Sequence, residues 1–86
     1  MKFIQDVSLR KTGEGLAMIY HKSEGTLFEL NETATAIAEL IAQDETMTVQ
    51  TITNQLQQIY DASEHEIRQE VDGILAEFIE YGILEE

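Results

Sequence analysis

With 86 residues, the chain is short enough that folding buries only roughly 60 to 65% of the surface the unfolded chain exposes, so nearly every apolar position is needed for a core and little is left for a deep catalytic cavity. Five Lys and Arg against 17 Asp and Glu give a net charge of −12, which repels a phosphate backbone and argues against a nucleic-acid partner. The absence of cysteine rules out disulfides and thiolate metal sites, and the opening MKFIQDVSLR holds no apolar h-region or membrane-spanning run, so the expectation is one soluble cytoplasmic domain over residues 1–86, with no membrane partner.

From Phe3 to Arg10, Val7 and Leu9 alternate with Asp6, Ser8 and Arg10, the pattern of a half-buried strand entered from a loosely held terminus. Lys11 to Gly15 reads as its turn. Leu16, Met18 and Tyr20 then alternate with Ala17, Ile19 and His21, and Lys22-Ser23-Glu24-Gly25 has the chemistry of a hairpin turn into Thr26. In the next strand Thr26, Phe28 and Leu30 share one face and Leu27 and Glu29 the other. These three strands form a meander whose third member carries no proline and one internal charge, which makes it an edge open to pairing.

The period changes from two to 3.6 at Leu30. Asn31 supplies a cap oxygen, Glu32 an acid in the first turn, and Ala34, Ile37, Ala38 and Ile41 the buried stripe of a first helix. Thr48 caps a second helix whose stripe is Val49, Ile52, Leu56 and Ile59. Ser63 with Glu66 forms a capping box for the third, flanked by Ala62 and Ile67 at the staple positions. That helix carries Ile67, Val71, Ile74, Leu75, Phe78 and Ile79, a band wider than one packed face requires. Most of it reads as core, with an outer edge left for a partner. Gly82 stands where a left-handed C-terminal cap belongs, with Ile83 in reach of Phe78.

No arrangement of residues carries chemistry. His21 and His65 lie in different elements and read as solvent-facing, with no HExxH or related ligand spacing, so neither a metal nor another cofactor is expected. Glu64, Glu66, Glu70, Asp72 and Glu77 read as solvated helix surface rather than as a desolvated acid and base. Ser8, Ser23 and Ser63 have strand, turn or cap roles, no GxSxG occurs, and Gly13 and Gly15 share one turn rather than forming a phosphate loop.

The corner LNETATAIAELI, with a strand before it and two helices after it, and the closing Gly82-Ile83-Leu84 resemble the PqqD family, the recognition elements that hold leader peptides in ribosomal peptide-modifying pathways. The resemblance implies an α+β, winged helix-turn-helix-like fold: a three-stranded antiparallel sheet followed by three helices. It implies a peptide chaperone without catalysis of its own, which binds the leader of a precursor peptide and presents it to a modifying enzyme such as a radical SAM enzyme or a leader peptidase or cyclase. The leader would add as a strand along Thr26, Leu27, Phe28, Glu29 and Leu30, with side chains toward Ile67, Arg68, Val71, Ile74 and Leu75; Arg68 enters as the one Arg or Lys of its helix. Ala38 stands where many relatives have a bulky aromatic, and with the strong negative charge it leaves the pathway open among quinone cofactor, lasso and radical-modified peptides. The residues alone also fit a winged-helix interaction module, or a regulator in which a second copy covers the third strand, so monomer and weak homodimer both stay open.

Overall fold

In the computed structural model, which describes residues 1–85, the strands are β1 (Lys2–Phe3), β2 (Val7–Gly13), β3 (Leu16–His21), β4 (Thr26–Leu30) and β5 (Leu84–Glu85), and the helices are α1 (Glu32–Gln43), α2 (Val49–Gln57) and α3 (Glu64–Glu80). β2, β3 and β4 form an antiparallel sheet in that order, and β1 pairs antiparallel with β5. This is the expected α+β architecture, a three-stranded sheet followed by three helices.

Each helix begins where a side chain takes up a free amide. The Ala34 amide donates to Asn31 Oδ1 at 2.8 Å, that of Thr51 to Thr48 Oγ1 at 3.1 Å, and that of Glu66 to Ser63 Oγ at 3.2 Å. Such a cap contributes about 1 kcal/mol. Ser63 Oγ also donates to Glu66 Oε1 at 3.2 Å, which closes the Ser63–Glu66 box between side chains. At its other end α3 stops in a Schellman turn. Gly82 takes φ 74°, its amide donates to Ile79 O at 3.0 Å, and the Ile83 amide donates to Phe78 O at 3.1 Å.

The core lies between the inner face of the sheet and the three helices, with Ile19, Ile37, Ile41, Ile52, Leu56, Val71 and Ile83 fully buried. Thr35, also buried, ties α1 to the sheet, because its Oγ1 accepts the Ala17 amide at 3.1 Å. Buried Thr53 satisfies its hydroxyl within α2 by donating to Val49 O at 2.8 Å.

The fold departs from the sequence reading in four places. The amino terminus is held rather than loose: β1 pairs with β5, the Met1 ammonium donates to Glu45 O at 2.9 Å, and the Phe3 and Phe78 rings lie 6.0 Å apart. β2 runs through Lys11 to Gly13, with a register shift between those two residues, so the turn is confined to the residues before Leu16. α2 ends before Ile59, because the Gln58 amide donates to Gln55 O and that of Ile59 to Leu56 O. These i to i−3 bonds tighten the last turn and swing Ile59 off the buried stripe, leaving it 67% exposed. His21, expected at the surface, is buried. It sits on the central strand in step with Ala17 and Ile19, and period two puts all three on the inner face.

Candidate functional site

One hydrogen bond fixes which way the backbone of β4 points. The Lys22 amide donates to Asp6 O at 2.9 Å, in register with the β2–β3 ladder in which Val7 faces His21. Backbone groups alternate sides along a strand. Lys22, Tyr20 and Met18 therefore turn toward β2, and His21, Ile19 and Ala17 turn toward β4. Their partners Thr26, Phe28 and Leu30 turn their backbone groups toward that ladder, with the Ala17 amide at its end taken by Thr35 Oγ1. Leu27 and Glu29 direct theirs outward, along an edge that no other strand covers among the described residues.

Beside that edge runs a groove of about 400 Å³ between β4 and α3. Its lining combines the strand from Leu27 to Leu30, Asn31 and Ala34 at the start of α1, and Glu70, Ile74, Glu77, Phe78 and Tyr81 along α3. The helical residues recur at i, i+4, i+7 and i+11, one ridge of α3. Buried Leu30, Ala34 and Phe78 and half-buried Ile74 give an apolar floor. The Phe28 and Tyr81 rings stack across the groove, with centroids 4.7 Å apart and planes 15° from parallel. The Schellman turn holds Tyr81 there, as the last residue before Gly82.

Glu29, Glu70 and Glu77 supply three exposed carboxylates and no Lys, Arg or His lines the groove. Arg68 points elsewhere: its Nη1 donates to Gln50 Oε1 at 2.8 Å, and Gln50 Nε2 donates to Asn54 Oδ1 and Glu64 Oε1, each at 2.9 Å. Among the described residues Lys2 pairs with Glu85 and Lys11 with Glu39, and His21 lies beside Asp6, so Glu29, Glu70 and Glu77 have no cationic partner.

Of the residues selected from sequence, the structure brings together Leu27, Phe28, Glu29, Leu30 and Ile74 in the groove, with Thr26 at the start of the same strand. Val71 is fully buried, Ile67 is buried beside Tyr60 and Ala62, and Leu75 faces the opposite flank of α3. With Arg68 they lie outside the groove lining, because the ridge that faces β4 passes through Ile74, whereas Ile67, Val71 and Leu75 turn away from it. Asn31, Ala34, Glu70, Glu77, Phe78 and Tyr81 were not selected. Once Ile74 is placed, steps of three and four along the helix find the α3 members of that set.

Two other features have local explanations. A cleft of about 510 Å³ on the opposite flank of α3, lined by Met1, Met47, Leu75, Ile79 and Leu84 among others, contains carboxylate only at Asp72. Near the β2–β3 end, His21 Nδ1 lies 3.3 Å from Asp6 Oδ2, and that same oxygen accepts from the Ser23 amide at 2.9 Å and from the Ser23 hydroxyl. The Ser23 hydroxyl is thus a donor to a carboxylate, with the imidazole on the far side of it, the wrong order for activating a serine. The Ser23 hydrogen bonds, side chain first, hold the Asp6 carboxyl below the usual aspartate range. Among the described residues no group of His, Asp and Glu is placed to hold a metal, and no helix is long and apolar enough to cross a membrane.

Residues 16–84 match the family model described as coenzyme PQQ synthesis protein D, PqqD. The chain belongs to the PqqD family. The span matched in this PqqD-family chain begins at the first residue of β3 and ends at the first of β5, so it takes in the free edge, the groove and all three helices. Among solved structures the fold is similar to that of TbiB1, determined in complex with the TbiA(beta) leader peptide, with a TM-score of 0.86 at 19% sequence identity over 99% of this chain and 95% of the other. No curated protein matches the chain significantly.

Proposed function

We propose that this PqqD-family protein is a leader-peptide adaptor. It holds the leader of a ribosomally made precursor peptide as a strand added to β4 and presents that peptide to a modifying enzyme, without catalysis of its own. The observation that carries the reading is the pairing of two features on one side of the molecule: the outward backbone groups of Leu27 and Glu29 and the apolar groove that runs beside them. Added backbone hydrogen bonds give a peptide affinity in any sequence, and pockets for alternate side chains set its register. PqqD-family membership and the leader-bound state of the similarly folded TbiB1 support the same role.

The leader fills the space between β4 and α3, with inward side chains over Ile74 and Phe78 and outward ones beside Leu27 and Glu29. The partner enzyme is one that modifies or processes the held peptide, of the radical SAM or leader peptidase or cyclase kind, and the protein works in the cytoplasm. Titrating the fluorescently labelled leader of a candidate precursor peptide, while following mass by light scattering, tests the reading. The expected result is saturable binding by a monomer. A protein that is dimeric through β4 and ignores the leader would assign the edge to a second copy instead.

A further inference from the structure

Resting on the leader-binding reading, we infer that the groove selects a basic leader segment: one whose inward face carries a Lys or Arg two residues from an apolar anchor. Glu70, Ile74 and Glu77 follow one another along the ridge that faces β4, so the apolar seat is bracketed by carboxylates. A helix advances ~1.5 Å per residue, which sets Glu70 about 6 Å and Glu77 about 4.5 Å from Ile74 along the axis. Same-face residues of a strand recur every ~6.6 Å. An apolar side chain resting on Ile74 therefore brings the next inward side chain on either side within reach of Glu70 or Glu77.

The outward face makes the same demand. Glu29 is exposed there, and the residue opposite it on an added strand is its direct cross-strand neighbour, where an opposite charge is favourable and a like charge is not. All three carboxylates lack a cationic partner within the described residues, and Arg68, the base nearest in sequence to Glu70, is engaged with Gln50. An acidic leader would set like charge beside Glu70 and Glu77 in a groove with no base in its lining, or beside Glu29 on the outward face. Because the carboxylates are exposed, the effect falls on selectivity and association rate, and salt weakens it.

A displayed library of random nine-residue peptides, selected in parallel on the wild-type protein and on Glu70→Gln/Glu77→Gln, tests this. Enrichment on wild type of a base two positions from Leu, Ile, Val or Phe is expected, with the double variant keeping the apolar preference and losing the base. Changing that base to Gln in a synthetic winner should weaken wild-type binding about threefold, the range exposed ion pairs give, and leave the double variant unaffected. Absence of basic enrichment on wild type, or its undiminished persistence on the double variant, overturns the inference. Amide shifts then separate the two levels. Winners that move Leu27 and Glu29 leave strand addition standing, whereas winners that move neither overturn both readings.

Discussion

The amide of Lys22 donates to the carbonyl of Asp6 at 2.9 Å, and that bond, five residues from the nearest outward group of β4, decides which of its residues leave their backbone groups free. Through the register it assigns Phe28 to the ladder with Ile19 and Glu29 to the open edge. Proline at the two positions should therefore have opposite consequences. Phe28→Pro removes a ladder bond and leaves the Ile19 carbonyl unpaired, so the domain should lose about 1 to 3 kcal/mol. Glu29→Pro removes one outward donor from a folded protein and should weaken leader binding beyond the isosteric control Glu29→Gln, by about tenfold if the donor's absence leaves a peptide carbonyl unpaired. Circular dichroism and a binding titration separate the cases.

Val71 and Ile74 are three residues apart on α3 and belong to different ridges. Val71→Asp puts a charge into the fully buried core, so it should unfold the domain rather than report on the groove. Ile74→Asp places its charge in half-exposed floor beside Glu70 and Glu77, so the protein should stay folded and lose leader binding. Thermal melts of both variants, followed by titration of whichever folds, check the assignment. Gln57→Ala on the exposed side of α2 should leave affinity unchanged.

Gly82 holds the left-handed conformation that ends α3 and positions Tyr81 over Phe28. Alanine there should cost roughly 1 kcal/mol through backbone strain. The loss is read as a lowered melting temperature, together with a change in the near-ultraviolet tyrosine signal as the stack shifts.

The Ser23 hydrogen bonds depress the Asp6 carboxyl below its ordinary value near 3.9. A carboxyl depressed in the folded state adds stability that is present above the unfolded value and disappears as pH falls through the folded one. Ser23→Ala should move the Asp6 titration, followed by carbon NMR, back up toward the ordinary value and shift acid unfolding to higher pH. Stability near neutrality changes mainly by the lost turn bonds.

What was legible in the sequence was local. Asn31, Thr48 and Ser63 cap helices because a short polar side chain before a 3.6-residue period has few other uses, and Gly82 ends one because of the conformation it tolerates. The β1–β5 pair is not legible because two residues carry no period, and Ile59 falls outside the stripe expected for α2 because a tightened final turn breaks the phase that the stripe extrapolates. The groove was half legible for a related reason. An apolar band around α3 reveals that more than one face is covered, yet which ridge meets β4 depends on how the helix is rolled by α2 and by Phe3 against Phe78. Ile74 alone of the selected α3 residues lies on the ridge that meets β4.

Amide hydrogen exchange at Leu27 and Glu29, with and without the leader, tests strand addition most directly. Both amides face solvent from an uncovered edge, so without peptide they should exchange quickly while Phe28 and Leu30 exchange slowly. At leader concentrations about 100 times Kd, protection at Leu27 and Glu29 should rise by up to about 100-fold, with Phe28 and Leu30 little changed. If the leader binds to saturation and those two amides keep exchanging at their free rate, the peptide is not a strand of this sheet and the account is wrong.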